Sequence, residues 1–186
     1  MKTKNIVFLS LVAALSFTFF SSCKKVKELA SFDVTYNLPH IAFRYIPVTM
    51  KSGEAIIYSG SFNINLDSLL NAHGYSSGLI ESTEFSHIGI TITQPAEANF
   101  NWLHTASVVV SQNANFQPSS VVGTVTNDTT ANSQTIVLTL NNVNIRPYLN
   151  STQFYYEILA ETNGAVPYEW IDMYIDSQLK LTISPL

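Results

Sequence analysis

The sequence predicts an all-β fold, an antiparallel β-sandwich that is either immunoglobulin-like or jelly-roll-like and carries one short helix. Apolar and polar residues alternate with period two in about ten short runs, the pattern of strands that bury one face. Turn-forming residues separate the runs, as at Asn163-Gly164. Charged residues make up only 12% of the chain and aromatic residues another 12%, a balance that favours pleated sheet over helix.

The predicted strands are spread evenly from residue 32 to residue 183. Each run places its apolar residues two apart, so that one face of the strand is apolar. Short, evenly spaced strands with little helix between them are typical of antiparallel sandwiches. The runs are Phe32 to Tyr36, Ile56 to Tyr58, Phe62 to Leu66, Ile88 to Ile92, Val108 to Val110, Val121 to Val125, Ile136 to Leu140, Phe154 to Ile158, Ile171 to Ile175 and Leu179 to Ile183.

The short helix is predicted between the third and fourth of these runs. Asn65 is a suitable N-cap, and Leu66, Leu69 and Leu70 form an apolar stripe after it. Gly74 then supplies the left-handed residue at which a helix commonly ends.

Two longer connections are each predicted to contain a single helical turn. The first runs from Pro95 to Leu103, and its Phe100 and Trp102 are predicted to plug the core. The second runs from Arg146 to Asn150. Its Pro147 suits the first turn of a helix, because the N–H that proline lacks would have no partner there.

The first 23 residues have the three parts of an export signal. Lys2 and Lys4 give a positive start, and residues 6–20 form an apolar stretch without charge. Small residues then precede Cys23. The apolar stretch is shorter than the roughly 20 residues that a membrane-spanning helix needs, so a cleaved signal peptide is the favoured interpretation.

The run Phe20-Ser21-Ser22-Cys23 resembles the lipobox of bacterial lipoproteins, in particular those of the Bacteroidota, whose boxes often end in Ser-Cys. Phe20 departs from the usual leucine. The resemblance implies that Cys23 becomes the first residue of the mature protein and carries fatty acyl chains such as palmitate. Cys23 is the only cysteine of the chain, which agrees with a use other than a disulfide. An ordinary signal peptide followed by an unmodified cysteine is the alternative.

These features divide the chain into a signal peptide (1–22), a lipidated tether (23–31) and a single β-sandwich domain (32–186). The resemblance implies a location in the cell envelope, anchored to the outer membrane by the lipid. The tether begins with Lys24-Lys25-Val26-Lys27, whereas surface-exported lipoproteins of that phylum resemble each other in an acidic run at this place. The periplasmic face is therefore favoured over the cell surface. A plain solvated tether is the alternative interpretation of these lysines.

Composition limits the partners of the mature chain. Removal of 22 of the 186 residues leaves 164 residues, enough for one domain with its own core. Two of nine Lys and Arg residues are lost with the signal, so seven remain against 13 Asp and Glu. No basic patch is left, which argues against nucleic acid as a partner.

No motif predicts a catalytic site, a metal site or a cofactor. Residues Gly74 to Gly78 match G-x-S-x-G, but the hydrolase motif needs a strand before the serine and a helix after it, and here a helix precedes it. The histidines lack the short spacing of zinc ligands. They are His40, His73, His87 and His104. We predict a protein that is not an enzyme, with a small hydrolase as the least favoured alternative.

The candidate binding face is formed by Trp170, Asp172 and Tyr174. If the apolar residues between them face the core, these three side chains share the other face of one strand. Two aromatic rings with a carboxylate between them suit a protein interface or the stacking of sugar rings. Packing of Trp170 under a loop, with a merely solvated carboxylate, is the alternative.

Two function hypotheses follow. The first is a non-enzymatic envelope lipoprotein whose sandwich binds an envelope protein partner or acts as a structural module. The second is a carbohydrate-binding module that uses the candidate binding face. In addition, Asp128-Thr129-Thr130 and Asp67-Ser68-Leu69 resemble the short O-glycosylation sequence of periplasmic Bacteroidota proteins. Thr129 is the better candidate, because it lies in a predicted loop.

Overall fold

Two antiparallel sheets of five strands each pack face to face in the computed structural model, which describes residues 31–47, 54–64, 70–71, 74–149 and 153–184. The prediction of an all-β sandwich is confirmed. Sheet A contains β1 (Phe32–Asn37), β2 (Ile41–Tyr45), β4 (Ile80–Gln94), β7 (Thr135–Val137) and β10 (Ile171–Ile183). Sheet B contains β3 (Glu54–Asn63), β5 (Leu103–Ser111), β6 (Ser119–Thr126), β8 (Thr139–Leu140) and β9 (Gln153–Thr162).

The strand pairing distinguishes between the two sandwich types that the sequence left open. Sheet A has the order β1–β10–β4–β7, with β2 continuing beside β10 where β1 ends, and sheet B has the order β3–β9–β5–β6–β8. The first strands therefore pair with the last, β3 pairs with β9, β4 with β7 and β5 with β6. This nesting of antiparallel pairs in chain order is the topology of a jelly roll.

The core lies between the sheets and is built by the period-two pattern of the sequence. In β9 and β10 every second residue is buried, as the apolar alternation predicts. One edge of the sandwich is formed by a continuous segment that contains β7 and β8. This segment leaves sheet A after Val137 and joins sheet B at Thr139. Leu138 lies between the two short strands with its side chain buried in the core. The same segment thus supplies an edge strand to both sheets.

Two strands depart from the predicted alternation. In β6 the pairing with β5 shifts so that Val122 is an extra, buried residue, and Val121, which the pattern placed on the core face, is 40% exposed on the outer face. The pairing of β3 with β9 shifts between Ile56 and Tyr58, so that Ile57 is an extra residue in a β-bulge. As a result Ile57 is buried, whereas Ile56, which the sequence pattern placed on the core face with Tyr58, is 55% exposed on the outer face.

The connections agree with the predicted single turns. Phe100–Trp102 and Arg146–Leu149 each form a 3-10 turn, and Phe100 and Trp102 are buried in the core, which confirms the predicted plug. The end of the predicted short helix is also present. Leu70 and Asn71 are helical, Gly74 has a φ of 80°, and two backbone hydrogen bonds close the Schellman pattern. These bonds run from Tyr75 N–H to the Leu70 carbonyl and from Gly74 N–H to the Asn71 carbonyl.

Several predictions concern residues outside those described. The signal peptide, Cys23, the lysines of the tether, the start of the helix at Asn65, Ser68 and His73 belong to this group. Among the described residues, no helix has the length and apolar character required to cross a bilayer.

Candidate binding face of sheet A

Strand β10 places the predicted residues on the outer face of sheet A. Asp172 and Tyr174 are half-buried there, while the residues between and beside them point into the core. Trp170 directly precedes the strand and is also half-buried. Asp172 is paired in register with Arg44 of β2, so a basic side chain from the neighbouring strand lies on the same face.

Arg44 binds both the carboxylate and the indole of this face. Its Nε and Nη2 donate to Asp172 Oδ1 and Oδ2 over 2.6 and 2.7 Å, the two-pronged geometry that favours arginine over lysine. The guanidinium carbon also lies 4.5 Å from the centre of the Trp170 ring, a cation–π contact. One side chain therefore neutralises the charge of Asp172 and covers one face of Trp170.

We expect Asp172 to titrate below 3.8, the ordinary value for an aspartate. The hydrogen bonds from Arg44 lower the pKa of Asp172, and desolvation opposes them. Because the folded-state pKa is depressed, the stability gained from the pair is present above the unfolded-state pKa and is lost as the pH falls through the folded-state pKa. Carbon-13 NMR of the carboxyl group measures the midpoint. In Arg44→Ala the midpoint should return toward 3.8, and an unchanged midpoint would contradict this explanation.

Tyr174 is covered in a similar way. The ring of His40 stacks on it with a centroid distance of 5.1 Å and an angle of 4° between the planes. The sequence predicted no role for His40, because the histidines lack the short spacing of zinc ligands, and it gave no sign of a contact with Tyr174. The strand pairing brings the two together, since Ala42 of β2 is the register partner of Tyr174.

The neighbouring part of β10 carries a second polar cluster that the sequence did not predict. Asp176 Oδ2 lies 2.8 Å from Nε2 of His87, which belongs to β4. His40 lies on the other side, and together with Asp176 it lines a surface groove of about 230 Å³. The remaining lining residues of this groove are Asn37, Leu38, Ser177 and Gln178. The one sequence signal for the groove is Pro39, which lies between β1 and β2, since a proline at the edge of a sheet is found at bulges and other breaks in the pairing.

The outer face of sheet B carries a different surface. A diagonal row of apolar residues crosses it, one from each of β3, β9, β5 and β6. We call this row the apolar stripe. Its two ends are solvent-exposed, Ile56 by 55% and Val121 by 40%. The stripe consists of Ile56, Leu159, Val109 and Val121.

Acidic residues flank the apolar stripe. Glu54 and Glu161 are register partners on one side of it, and Glu157 lies on the other side. Their carboxylates accept hydrogen bonds from hydroxyl groups of the same face, such as Ser59 Oγ to Glu157 Oε1 over 3.2 Å. The described Lys and Arg residues all lie elsewhere, on sheet A or in the turn at Arg146, so within the described chain these glutamates have no cationic partner.

The remaining predicted sites are placed as follows. Thr129 is half-buried in a turn in which the Asp128 side chain accepts hydrogen bonds from the N–H and the hydroxyl of Thr130, and these bonds lower the pKa of Asp128. Ser76 of the G-x-S-x-G match is exposed and precedes a 3-10 turn instead of following a strand. The described part of the chain contains no group of three His, Cys, Asp or Glu side chains that could hold a metal ion.

Comparison with known proteins gives weak structural likenesses and no family. No protein-family model matches the chain, and no curated protein sequence matches it. Similar solved structures include Desmodium yellow mottle tymovirus, at 15% identity and a TM-score of 0.26 over 84% of this chain and 90% of that one. A structure of infectious bursal disease virus Gx strain has 11% identity and a TM-score of 0.41 over 83% of this chain and 32% of that one. The decameric BFDV capsid protein has 13% identity and a TM-score of 0.36 over 82% of this chain and 98% of that one.

These likenesses carry no argument about function, because all three TM-scores are below 0.5 and the identities are low. The chain spans about a third of the bursal disease virus chain that it resembles. The assignment as a jelly roll therefore depends on the strand pairing of the protein itself.

Proposed function

We propose that the protein is a lipid-anchored protein of the bacterial envelope, without enzymatic activity, whose β-sandwich binds a protein partner through the outer face of sheet B. The anchor is supported by the export signal and the lipobox-like run that ends at Cys23. The basic tether supports the periplasmic face of the outer membrane. The partner site is supported by the apolar stripe, the single observation on which this proposal depends.

The stripe differs from scattered apolar surface residues. Single exposed apolar side chains are common on proteins, whereas contiguous exposed patches mark interaction sites. Here two register pairs, Ile56 with Leu159 and Val109 with Val121, lie diagonally next to each other on one face, so that four strands each contribute one apolar side chain. Val109 in the middle is only 8% exposed even though it does not belong to the core, because its neighbours on the outer face already cover it. The row therefore has the preformed packing of an interface centre.

The charges around the stripe define the chemistry of the partner. Glu54, Glu157 and Glu161 supply three negative charges that no described cation neutralises. We expect a partner surface with an apolar centre and with Lys or Arg side chains at its rim, because opposite charges at a rim steer association and suppress wrong partners. Arginine is the more favourable rim residue, since it binds carboxylates with two hydrogen bonds.

Photo-crosslinking in intact cells tests this proposal. A photoreactive amino acid at position 121 should capture the partner, and the same amino acid at position 137 should not, because Val137 is equally an exposed valine but lies on sheet A. Ile56→Ser should reduce the capture about tenfold, which corresponds to about 1.4 kcal/mol of binding free energy. Glu161→Lys should reduce it further by repelling a basic rim.

Three outcomes would contradict the proposal. They are equal capture from positions 121 and 137, no capture from position 121, and capture that is insensitive to both substitutions. The Val137→Ser variant serves as the matched control, since it makes an exposed apolar side chain polar on the opposite sheet. It should leave capture from position 121 unchanged.

The alternative function, a carbohydrate-binding module that uses Trp170, Asp172 and Tyr174, has weaker support. Arg44 already binds the Asp172 carboxylate and covers one face of Trp170. His40 covers one face of Tyr174. A sugar would have to stack on the remaining faces or displace these side chains, and Asp172 offers it few free acceptor positions.

A further inference from the structure

Both neighbours of β10 contain a bulge at the same level. On one side, Asn37 pairs with Gln178 and Ile41 with Ile175, so three residues of the edge segment lie opposite two residues of β10. On the other side, His87 pairs with Gln178 and Phe85 with Leu179, so that Ser86 is an extra residue of β4. Bulges bend strands and redirect side chains, and they often occur beside functional sites.

The two bulges create the groove above Asp176. The edge segment turns inward at Leu38, whose side chain is buried and whose N–H donates to the Ser177 carbonyl over 2.9 Å. Asn37 and His40 remain exposed on either side of this turn. The groove of about 230 Å³ is therefore open toward solvent and polar at its rim.

The polar groups of the groove have free hydrogen-bonding capacity. Within the described residues, the side-chain amides of Asn37 and Gln178 make no hydrogen bond. Asp176 uses Oδ2 to bind His87, and its Oδ1 has no hydrogen-bond partner in the described part of the chain. Each amide offers a donor and an acceptor, and the carboxylate offers an acceptor.

A glycine keeps Asp176 in this position. Gly89 of β4 is the register partner of Asp176, and a Cβ atom at residue 89 would lie 2.8 Å from Asp176 Oδ1. A side chain at this position would thus push the carboxylate away from the strand. The carboxylate instead lies directly over β4, between His87 and the groove.

We propose that this groove binds a single neutral sugar residue, either free or at the end of a glycan. Vicinal hydroxyls act as donors and acceptors at once, which suits two amides and a carboxylate side by side. The ring of His40, held by its stacking on Tyr174, supplies a flat wall for the less polar face of a pyranose. The volume lies below the roughly 300 Å³ at which pockets for drug-sized ligands begin, so the site accommodates one ring.

The charges of the groove argue against other small ligands. No Lys or Arg lines it, and Asp176 would repel a phosphate or a carboxylate. A metal ion would need several oxygen ligands of the carboxylate type, and the groove offers one carboxylate. The site shares no residue with the apolar stripe, so it is independent of the proposed protein contact.

Saturation-transfer NMR on the full-length protein in detergent tests the proposal. The probes are the methyl glycosides of glucose, galactose, mannose and N-acetylglucosamine. We expect at least one of them to bind, and Asn37→Ala, Gln178→Ala and Asp176→Asn each to weaken it about tenfold. Gly89→Ala should weaken it as well, because it displaces the carboxylate without removing a lining residue.

Thr35→Ala is the matched control, since Thr35 lies two residues before Asn37 on the same strand. It should leave binding unchanged. The proposal is overturned if none of the four glycosides binds, or if the lining variants bind as the unchanged protein does. It is also overturned if Trp170→Ala abolishes binding while Asn37→Ala does not, because the sugar would then lie on the indole. Ile56→Ser should not alter sugar binding, so loss of the protein partner and loss of the sugar are separate results.

Discussion

Replacing Cys23 with alanine is expected to abolish fatty acyl labelling of the protein and to release it from the membrane fraction. Cys23 is the only cysteine, so no second thiol can accept the lipid. A single acyl chain gives only marginal membrane binding, whereas two or more chains anchor a protein stably. Loss of the modification should therefore shift nearly all of the protein from the membrane to the soluble fraction, an effect larger than that of any surface substitution.

Labelling with an alkyne-bearing palmitate analogue, followed by fractionation, measures both effects. Ser21→Ala is the matched control, because it keeps a small residue within the lipobox-like run and leaves the cysteine in place. It should retain both label and membrane location. Labelling that persists in Cys23→Ala would contradict the lipid anchor, and unlabelled protein that is released in both variants would favour an ordinary signal peptide.

The export signal stays a prediction, one that can be made from sequence for a physical reason. The translocon and the processing enzymes act on an extended chain, so that charge, apolar length and the residues before the cysteine are the features they recognise. The alternation in β9 and β10 is readable for a related reason, because a strand that buries one face must place apolar residues two apart. Both signals are local, and neither depends on which strands become neighbours.

The parts that sequence did not predict all depend on strand register. Arg44 and Asp172 are 128 residues apart, and only the pairing of β2 with β10 makes them partners. His40 and His87 approach Asp176 from opposite sides because His40 lies within one bulge and His87 directly follows the other, and bulges leave only weak traces in sequence. The candidate face was therefore predicted with the right strand and orientation, but without the side chains that cover it.

The apolar stripe was missed for a similar reason. The sequence pattern places Val108 and Val110 on the core face, as the structure confirms. It also places Val121 there, but Val121 lies on the outer face because Val122 is an extra residue in a β-bulge. Ile56 reaches that face only because Ile57 is a bulge residue. A surface that depends on two such details cannot be derived from periodicity alone.

Adjacent aromatic residues in β9 provide the sharpest test of the sandwich itself. Phe154→Ala is expected to lower the free energy of unfolding by about 3–5 kcal/mol, because Phe154 is fully buried and its removal leaves a cavity. Its ring contacts Phe62 at 4.1 Å and Tyr156 at 6.5 Å between centroids, so both neighbours lose packing as well. A loss of this size is a large part of the roughly 5–15 kcal/mol that stabilises a typical domain. Urea denaturation followed by circular dichroism measures it.

Tyr155→Ala is the matched control, since it truncates an aromatic side chain one residue along the same strand. Tyr155 is half-buried on the outer face of sheet B, so its removal leaves no cavity between the sheets. We expect a loss of about 1 kcal/mol or less. Equal losses from the two variants would mean that both faces of β9 are buried to the same extent. That result would contradict the orientation of this strand, and with it the assignment of the apolar stripe to the surface.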